Sequence, residues 1–290
     1  MLIAIYRMIL LALSLPTHLA PFFARSTGEE YQVGIAQKVI LLAKMVRNNV
    51  RIVSASTFLE HIAMATSILN TPRSVPGGVV ECGTYKGGSA TNLSLVCALC
   101  DRTLDVCDSF AGLPEPSEGD RAHTLLGRAE VHTYESGSWA GSLDEVKAAI
   151  ARYGNLEVCR FHVGFFDQTL PNFSEPCILV FADVDLTDSL QTCLRYLWPL
   201  LADGGYFYAH EASHLEIAAL FFDKEWWRQT LDTAAPGLVG AGTGLGLIPA
   251  PGGFRSSIGY TVKQAATLEL QEVPQVGLAG LQTRFARKGL

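Results

Sequence analysis

Basic charge is scarce in this chain. Lys and Arg number 22 against 28 Asp and Glu, a net charge of −6 at pH 7. Without a basic face, sequence-independent binding of nucleic acid is excluded. The G-x-G-x-x-G turn that seats a pyrophosphate is also missing, which sets a nicotinamide dehydrogenase aside. The seven cysteines are an odd number, and the one C-x-x-C, at Cys97 and Cys100, has no second pair nearby. Most of these thiols lie in apolar runs, so buried reduced cysteines are expected in place of a disulfide framework or a zinc site. No apolar run reaches bilayer length: residues 1–15 are nearly all apolar but enclose Arg7, and Pro16 ends the run. A secretory leader would carry its charge ahead of the apolar stretch and a small-x-small site after it, and neither is found. Residues 1–26 are expected to pack on the domain or a partner subunit, membrane contact being the less favoured reading, and the protein is assigned to the cytoplasm. No internal repeat is evident.

What is present reads as one α/β domain with additions, and 290 residues at 49% hydrophobic content can fill its core. Helices are expected at Ala36–Val53 and Thr57–Leu69, followed by a Pro/Gly loop at 71–78. Strands at Val79–Cys82, Thr103–Cys107, Glu157–Val163, Cys177–Asp183 and Tyr206–Ala209 then alternate with helices at Ser89–Cys100, Leu143–Tyr153 and Thr187–Leu201. Such alternation implies a parallel sheet covered on both faces. Near the C-terminus, Gly244–Pro249 and Ser257–Lys263 read as a β-hairpin about Ala250–Gly253, entered through the flexible run Gly242–Gly246. The division expected is a helical extension at 1–75, the main domain at 76–263 and a tail at 264–290. From Leu113 to Ser142 no element is convincing, and so long a connection on the ligand side reads as a lid.

The chemistry starts at Val79-Val80-Glu81-Cys82-Gly83-Thr84-Tyr85-Lys86-Gly87-Gly88-Ser89. An apolar strand turns sharply into a helix whose free N–H groups face a ligand, and Gly83 and Gly88 allow close backbone approach. A carboxylate at the strand end suits a cationic ligand without phosphate, and S-adenosylmethionine, with its ammonium and sulfonium groups, answers that description. Glu81 to Asp108 spans one strand–helix–strand unit, the distance at which an acid meets ribose hydroxyls; the plainer role for Asp108 is to form the turn before Phe110 and Gly112. Gly164 would let the chain turn under an adenine, with Phe165 or Phe166 over its face and the other in the core. Ligands of open parallel sheets bind beyond the carboxyl ends of the strands, where Asp183, Asp185, His210 and Glu211 also fall. Oxygen and nitrogen donors converging there read as a divalent-metal site. His123, His132, His214 and Glu216 read as surface or lid residues, the first two placed where a substrate could meet them.

These motifs, with Cys107-Asp108-Ser109-Phe110-Ala111-Gly112-Leu113-Pro114, Leu143-Asp144-Glu145-Val146, Val163–Asp167 through Leu170-Pro171, and Leu200–Tyr206, resemble the macrocin O-methyltransferase (TylF-type) family of metal- and S-adenosylmethionine-dependent sugar O-methyltransferases, relatives of catechol O-methyltransferase. The resemblance runs from about Val75 to Val262. It implies a Rossmann-like class I methyltransferase fold, with a seven-stranded, mostly parallel sheet and a C-terminal antiparallel hairpin. It also implies cofactor contacts from Glu81, Gly83, Thr84, Tyr85, Gly88, Ser89, Asp108, Ser109, Gly164, Phe165, Phe166 and Asp183. Asp183 matches the first metal ligand and Asp185 the base, while His210 and Glu211 stand in the place of an acidic pair. His210 thus departs from the family, as does Phe181-Ala182-Asp183, which lacks the usual basic residue. The metal expected is Mg or Mn, or another transition metal that suits imidazole. The acceptor expected is a small molecule bearing a hydroxyl, and the assembly a homodimer or larger homo-oligomer. Two alternatives are a metal-free transferase with His210 as base and a non-catalytic homologue that only binds the cofactor.

Overall fold

Successive side chains of each central strand point to opposite faces of the sheet, and that alternation divides the core in two. The computed structural model describes residues 15–16, 18–126, 130–240, 248–250, 253–255 and 258–264. Strands β1 (Gly78–Cys82), β2 (Leu104–Asp108), β5 (Cys159–Val163), β6 (Cys177–Ala182) and β7 (Leu201–Ala209) are parallel, and β10 (Gly259–Val262) runs antiparallel beside β7, in the order β10-β7-β6-β1-β2-β5. Val79, Leu104, Val106, Leu179 and Phe181 face one side. There they meet residues of α1 (18–23), α2 (Ile35–Arg51), α3 (Phe58–Asn70), α4 (Gly88–Cys100) and α5 (Leu143–Tyr153). Val80, Cys82, Cys107, Val180, Ala182, Phe207 and Ala209 face the other, against α6 (Phe166–Thr169), α7 (Thr187–Leu197), α8 (Leu215–Leu220) and α9 (Lys224–Leu231). Strands buried on both faces are why these segments read as continuous apolar runs.

The chain leaves β1 toward β2 and β5 on one side and returns through β6 to β7 on the other, so the order reverses between β1 and β6. That switch point is where a doubly wound sheet opens a crevice. The N-terminal helices are tied to it by a buried polar chain. Asn48 Nδ2 donates to Asn92 Oδ1 at 2.9 Å, Asn92 Nδ2 to His61 Nδ1 at 2.8 Å, and His61 Nε2 then donates to Ser56 at 2.8 Å. All seven cysteines are free, Cys97 and Cys100 being core residues of α4.

Several expectations are corrected. The sheet has six strands among the described residues, not seven. The C-terminal hairpin turns within Ala250–Gly253 as expected, but its second strand is not Ser257–Lys263: β8 (Ile248–Ala250) pairs with β9 (Gly253–Arg255) in a separate ribbon, and β10 covers the outer edge of β7. Helix α7 stops at Leu197 and not at Leu201, because Pro199 has no N–H with which to continue the helical ladder, and Leu201 instead opens a longer β7 than Tyr206–Ala209. The connection from 113 to 142 is not element-free. It holds the antiparallel pair β3 (Ala122–Leu125) and β4 (Glu130–Thr133). Its inward residue is His123, fully buried, so no apolar alternation advertised it. Residues 1–14, the Gly242–Gly246 run and the tail from 265 lie outside the described residues. Among the described residues, no helix is long and apolar enough to cross a membrane.

Candidate active site

One pocket lies over the carboxyl ends of β1, β2, β6 and β7, and two chemically different halves line it. The first half grows out of the β1–α4 turn. Gly83, at φ 82°, donates its N–H to the Cys107 carbonyl at 2.9 Å, and any Cβ there would collide with the Asp183 carbonyl oxygen. Glycine is the side chain this approach of β1 to β6 permits. Asp108 accepts from the Thr84 N–H and the Phe110 N–H, both at 2.7 Å, so its carboxylate pins the turn and also lines the pocket. Burial raises its pKa against those two bonds. Glu81 is fully buried just behind this wall, and neither its carboxylate oxygens nor Thr84 Oγ1 has a hydrogen-bond partner among the described residues. Burial pushes the Glu81 pKa up to about 8, the state of a carboxyl lacking a cation.

Thr84, Tyr85, Ser89, Ser109, Phe165 and Phe166 all line the pocket. Both phenylalanines reach the wall, and Phe166 also packs on the second core. Gly88 and Gly164 stand outside the lining. A Cβ on Gly88 would press on the Ser54 side chain, and Gly164, at φ 142°, turns the chain after β5.

The second half gathers charge. His210 Nδ1 lies 2.8 Å from Glu211 Oε1 and 3.2 Å from Asp183 Oδ1, and donor atoms of all three residues fall within 4.8 Å of one another. Burial opposes a charge on His210, but the two carboxylates outweigh it and hold its pKa well above the ordinary value. Conversely, burial opposes the Asp183 charge and His210 overcomes it, so that pKa falls. Asp185 has a left-handed backbone at φ 61°, rare for a non-glycine residue and costing about 1–2 kcal/mol. Burial, then Glu211 and Asp183, pushes its carboxyl well up. Glu60 of α3, buried and holding the Thr57 N–H at 2.6 Å, sits within electrostatic reach of His210 and Asp183.

The β3–β4 hairpin forms the remaining wall, which the sequence did not disclose. His123 and His214 are buried, not surface residues, and His132, Tyr134 and His214 line the pocket. Asp120 holds the hairpin down: its carboxylate accepts from the Thr187 and Asp188 N–H groups, each at 2.9 Å, and so caps α7 from outside the helix. His123 Nε2 lies 2.9 Å from the same carboxylate. Burial acts against Asp120, but these bonds bring its pKa down to about 2. Glu216 accepts from the Thr124 N–H at 2.9 Å, and Leu126 N–H donates to the Ser213 carbonyl at 2.8 Å. A pairing of polar residues 64 to 92 positions apart leaves no local signal. Ser54, Ala55 and Trp139 also line the pocket, beside Gly112, Leu113, Pro114 and Val184.

The macrocin-O-methyltransferase (TylF) family profile matches residues 56–233, more than half of the chain. Among characterised proteins, the chain is 35% identical over 137 residues to an 8-demethyl-8-(2,3-dimethoxy-alpha-L-rhamnosyl)-tetracenomycin-C 4'-O-methyltransferase of Streptomyces olivaceus, covering 46% of this chain and 51% of that one. It is 30% identical over 189 residues to the mycinamicin III 3''-O-methyltransferase of Micromonospora griseorubida, covering 63% and 67% respectively. The chain therefore spans about half the length of the first relative. The solved O-methyltransferase NovP superposes with a TM-score of 0.54 at 22% identity, over 72% of this chain and 81% of that one, a likeness of fold.

Proposed function

The chain belongs to the macrocin O-methyltransferase (TylF) family, and on that premise we propose that it transfers the methyl group of S-adenosylmethionine to a hydroxyl of a sugar or another small-molecule natural product. The observation that carries this reading is the juxtaposition across Gly83: an orphaned buried carboxyl, Glu81, behind one wall and a cluster of acid–base side chains opposite. Glu81 and the free helix turn suit the ammonium and carboxylate ends of the cofactor's amino acid. Asp108 retains lone pairs for ribose hydroxyls beyond its two backbone bonds, and Phe165 or Phe166 offers a face to adenine.

The donor set fits a divalent cation. Two carboxylates flank one imidazole nitrogen, so the His210 proton occupies the place of positive charge, and a metal would displace it. Held by Asp183, His210 and Glu211, such an ion would lower the pKa of a hydroxyl bound there. Asp185 is the residue to take the acceptor proton: its raised pKa moves a carboxyl toward the useful range for a base. His210, holding its proton between Asp183 and Glu211, is the poorer base. With both bound, the pocket walls would hold the acceptor hydroxyl beside the methyl donor, and much of the acceleration would come from that positioning.

Screening rhamnosides and other glycosides for release of S-adenosylhomocysteine, with each divalent metal restored to chelator-treated protein, tests the reading. Turnover that needs a metal and vanishes in Asp183→Ala supports it. Full turnover after chelation would remove the metal from the reaction.

A further inference from the structure

We propose that His61 is a positioning residue for the pocket: a chain of hydrogen bonds with one fixed direction, from Asn48 through Asn92, His61 and Ser56, turns the Ser54 hydroxyl outward as a donor to the carboxylate of the methyl donor's amino acid. The chain stands on geometry alone, and the identity of the carboxylate rests on the proposed function.

Direction is set at the far end, where each neighbour of Asn48 has only one role open to it. Arg47 can only donate, and its Nε and Nη2 lie 3.2 and 3.0 Å from Asn48 Oδ1. The Tyr153 carbonyl can only accept, and it lies 3.3 Å from Asn48 Nδ2. The Asn48 amide is therefore anchored with its nitrogen toward Asn92, whose oxygen has to accept, at 2.9 Å. That turns Asn92 Nδ2 onto His61 Nδ1 at 2.8 Å, so Nδ1 accepts and the ring carries its one proton on Nε2. Burial, which brings the His61 pKa down to about 3, keeps the ring neutral. Nε2–H then donates to Ser56 Oγ at 2.8 Å. Ser56 is 2% exposed, and an unused hydroxyl hydrogen there would be costly. Its other side-chain partner among the described residues is Ser54 Oγ, 3.1 Å away, so the hydrogen goes to Ser54.

Ser54 Oγ thus accepts from within the protein, and its own hydrogen is left for the pocket, which Ser54 lines. A Cβ on Gly88, the first residue of α4, would meet Ser54 Cβ at 2.6 Å and Oγ at 2.8 Å. The hydroxyl therefore stands over the turn whose free N–H groups favour an anion. Thr84 Oγ1, buried and without a hydrogen-bond partner among the described residues, lines the same pocket. Amide and hydroxyl donors together suit an ionised carboxylate, which only accepts. A Ser54 hydroxyl turned inward would offer that carboxylate lone pairs and repel it, so the direction of the chain is what matters. One side chain of the N-terminal extension is in this way added to a wall otherwise built by the β1–α4 turn and Asp108.

Two measurements on the full-length protein test the proposal. The first is the His61 tautomer in nitrogen-15-labelled protein at neutral pH, read from long-range proton–nitrogen correlations and assigned by loss in His61→Gln. Nε2–H with a bare Nδ1 is expected; Nδ1–H, or a doubly protonated ring, would overturn the proposal. The second is calorimetric affinity for S-adenosylmethionine beside its decarboxylated analogue, which lacks only the carboxylate. Ser54→Ala should weaken S-adenosylmethionine about ten-fold or more, as for a lost bond to a charged group, and leave the analogue unchanged. His61→Leu should do the same, with no further loss in the double variant. His61→Gln, whose amide can accept and donate in the same order, should retain wild-type affinity. Equal weakening of both compounds would reduce His61 to a structural role and overturn the proposal, as would a Ser54→Ala variant that binds S-adenosylmethionine like wild type. Should His61→Leu fail to fold, the tautomer and Ser54→Ala still decide the matter. Should the wild type bind neither compound, the proposed function and the carboxylate contact fall together, and the tautomer alone decides the direction of the chain.

Discussion

The two walls of the pocket are built on opposite principles. Around the ends of β1 and β2 the working groups are mainly backbone: a glycine in the left-handed region, free amides at the start of a helix, and one carboxylate locked by two main-chain bonds. Around β6 and β7 they are side chains, three carboxyls and a histidine crowded together. The first wall is made by one contiguous stretch and one later turn. The second needs strand ends, a helix from the extension and a hairpin to arrive together. A backbone site is stiff and local, and a side-chain site is adjustable but has to be held from outside.

Gly83 joins the two walls, so Gly83→Ala should break both. The added methyl meets the Asp183 carbonyl in a backbone region costly for alanine, and a loss on the order of 3–5 kcal/mol in stability is expected from the combination. Thermal unfolding followed by circular dichroism measures it; a variant as stable as wild type would show that the strands can part.

Asp185→Asn should separate the walls, lowering kcat by about 10²–10⁴ as expected for loss of a general base, with S-adenosylmethionine affinity unchanged by calorimetry. A parallel loss of cofactor affinity would mean the halves are not separable. The converse change, Asp108→Ala, should weaken cofactor binding by about 1–3 kcal/mol through lost hydrogen bonds and spare metal binding at Asp183, His210 and Glu211.

The smallest effect concerns the staple. Asp120→Ala removes the cap on α7 and the partner of His123, a loss of about 1 kcal/mol. Its folded pKa, about 2, lies below the ordinary 3.8. Its contribution is therefore complete above pH 3.8 and disappears as pH falls through 2. Stability curves of wild type and variant should converge across that interval. Curves that stay parallel would place the acid sensitivity elsewhere.

How much could be read in the sequence follows the same divide. The β1 turn was legible because a strand, a carboxylate and spaced glycines stand side by side, and Asp108 because one strand–helix–strand unit fixes its distance. Asp183, Asp185, His210 and Glu211 were legible as strand-end residues, although nothing local shows that the imidazole lies between two carboxylates. The hairpin was not legible. Its strands are four residues long, and its inward residue is a histidine whose partner, Asp120, earns its place by capping a helix some 67 positions onward. Glu60 was hidden likewise, looking like the first-turn acid of an ordinary helix.

The claim that the backbone wall is a self-contained cofactor site is tested most directly by calorimetric titration of chelator-treated protein with S-adenosylmethionine, and separately with a nicotinamide dinucleotide. One equivalent of S-adenosylmethionine should bind with the same affinity before and after a divalent metal is restored, and the dinucleotide should give no binding heat. Absence of S-adenosylmethionine binding, or binding that appears only with the metal, would contradict the account.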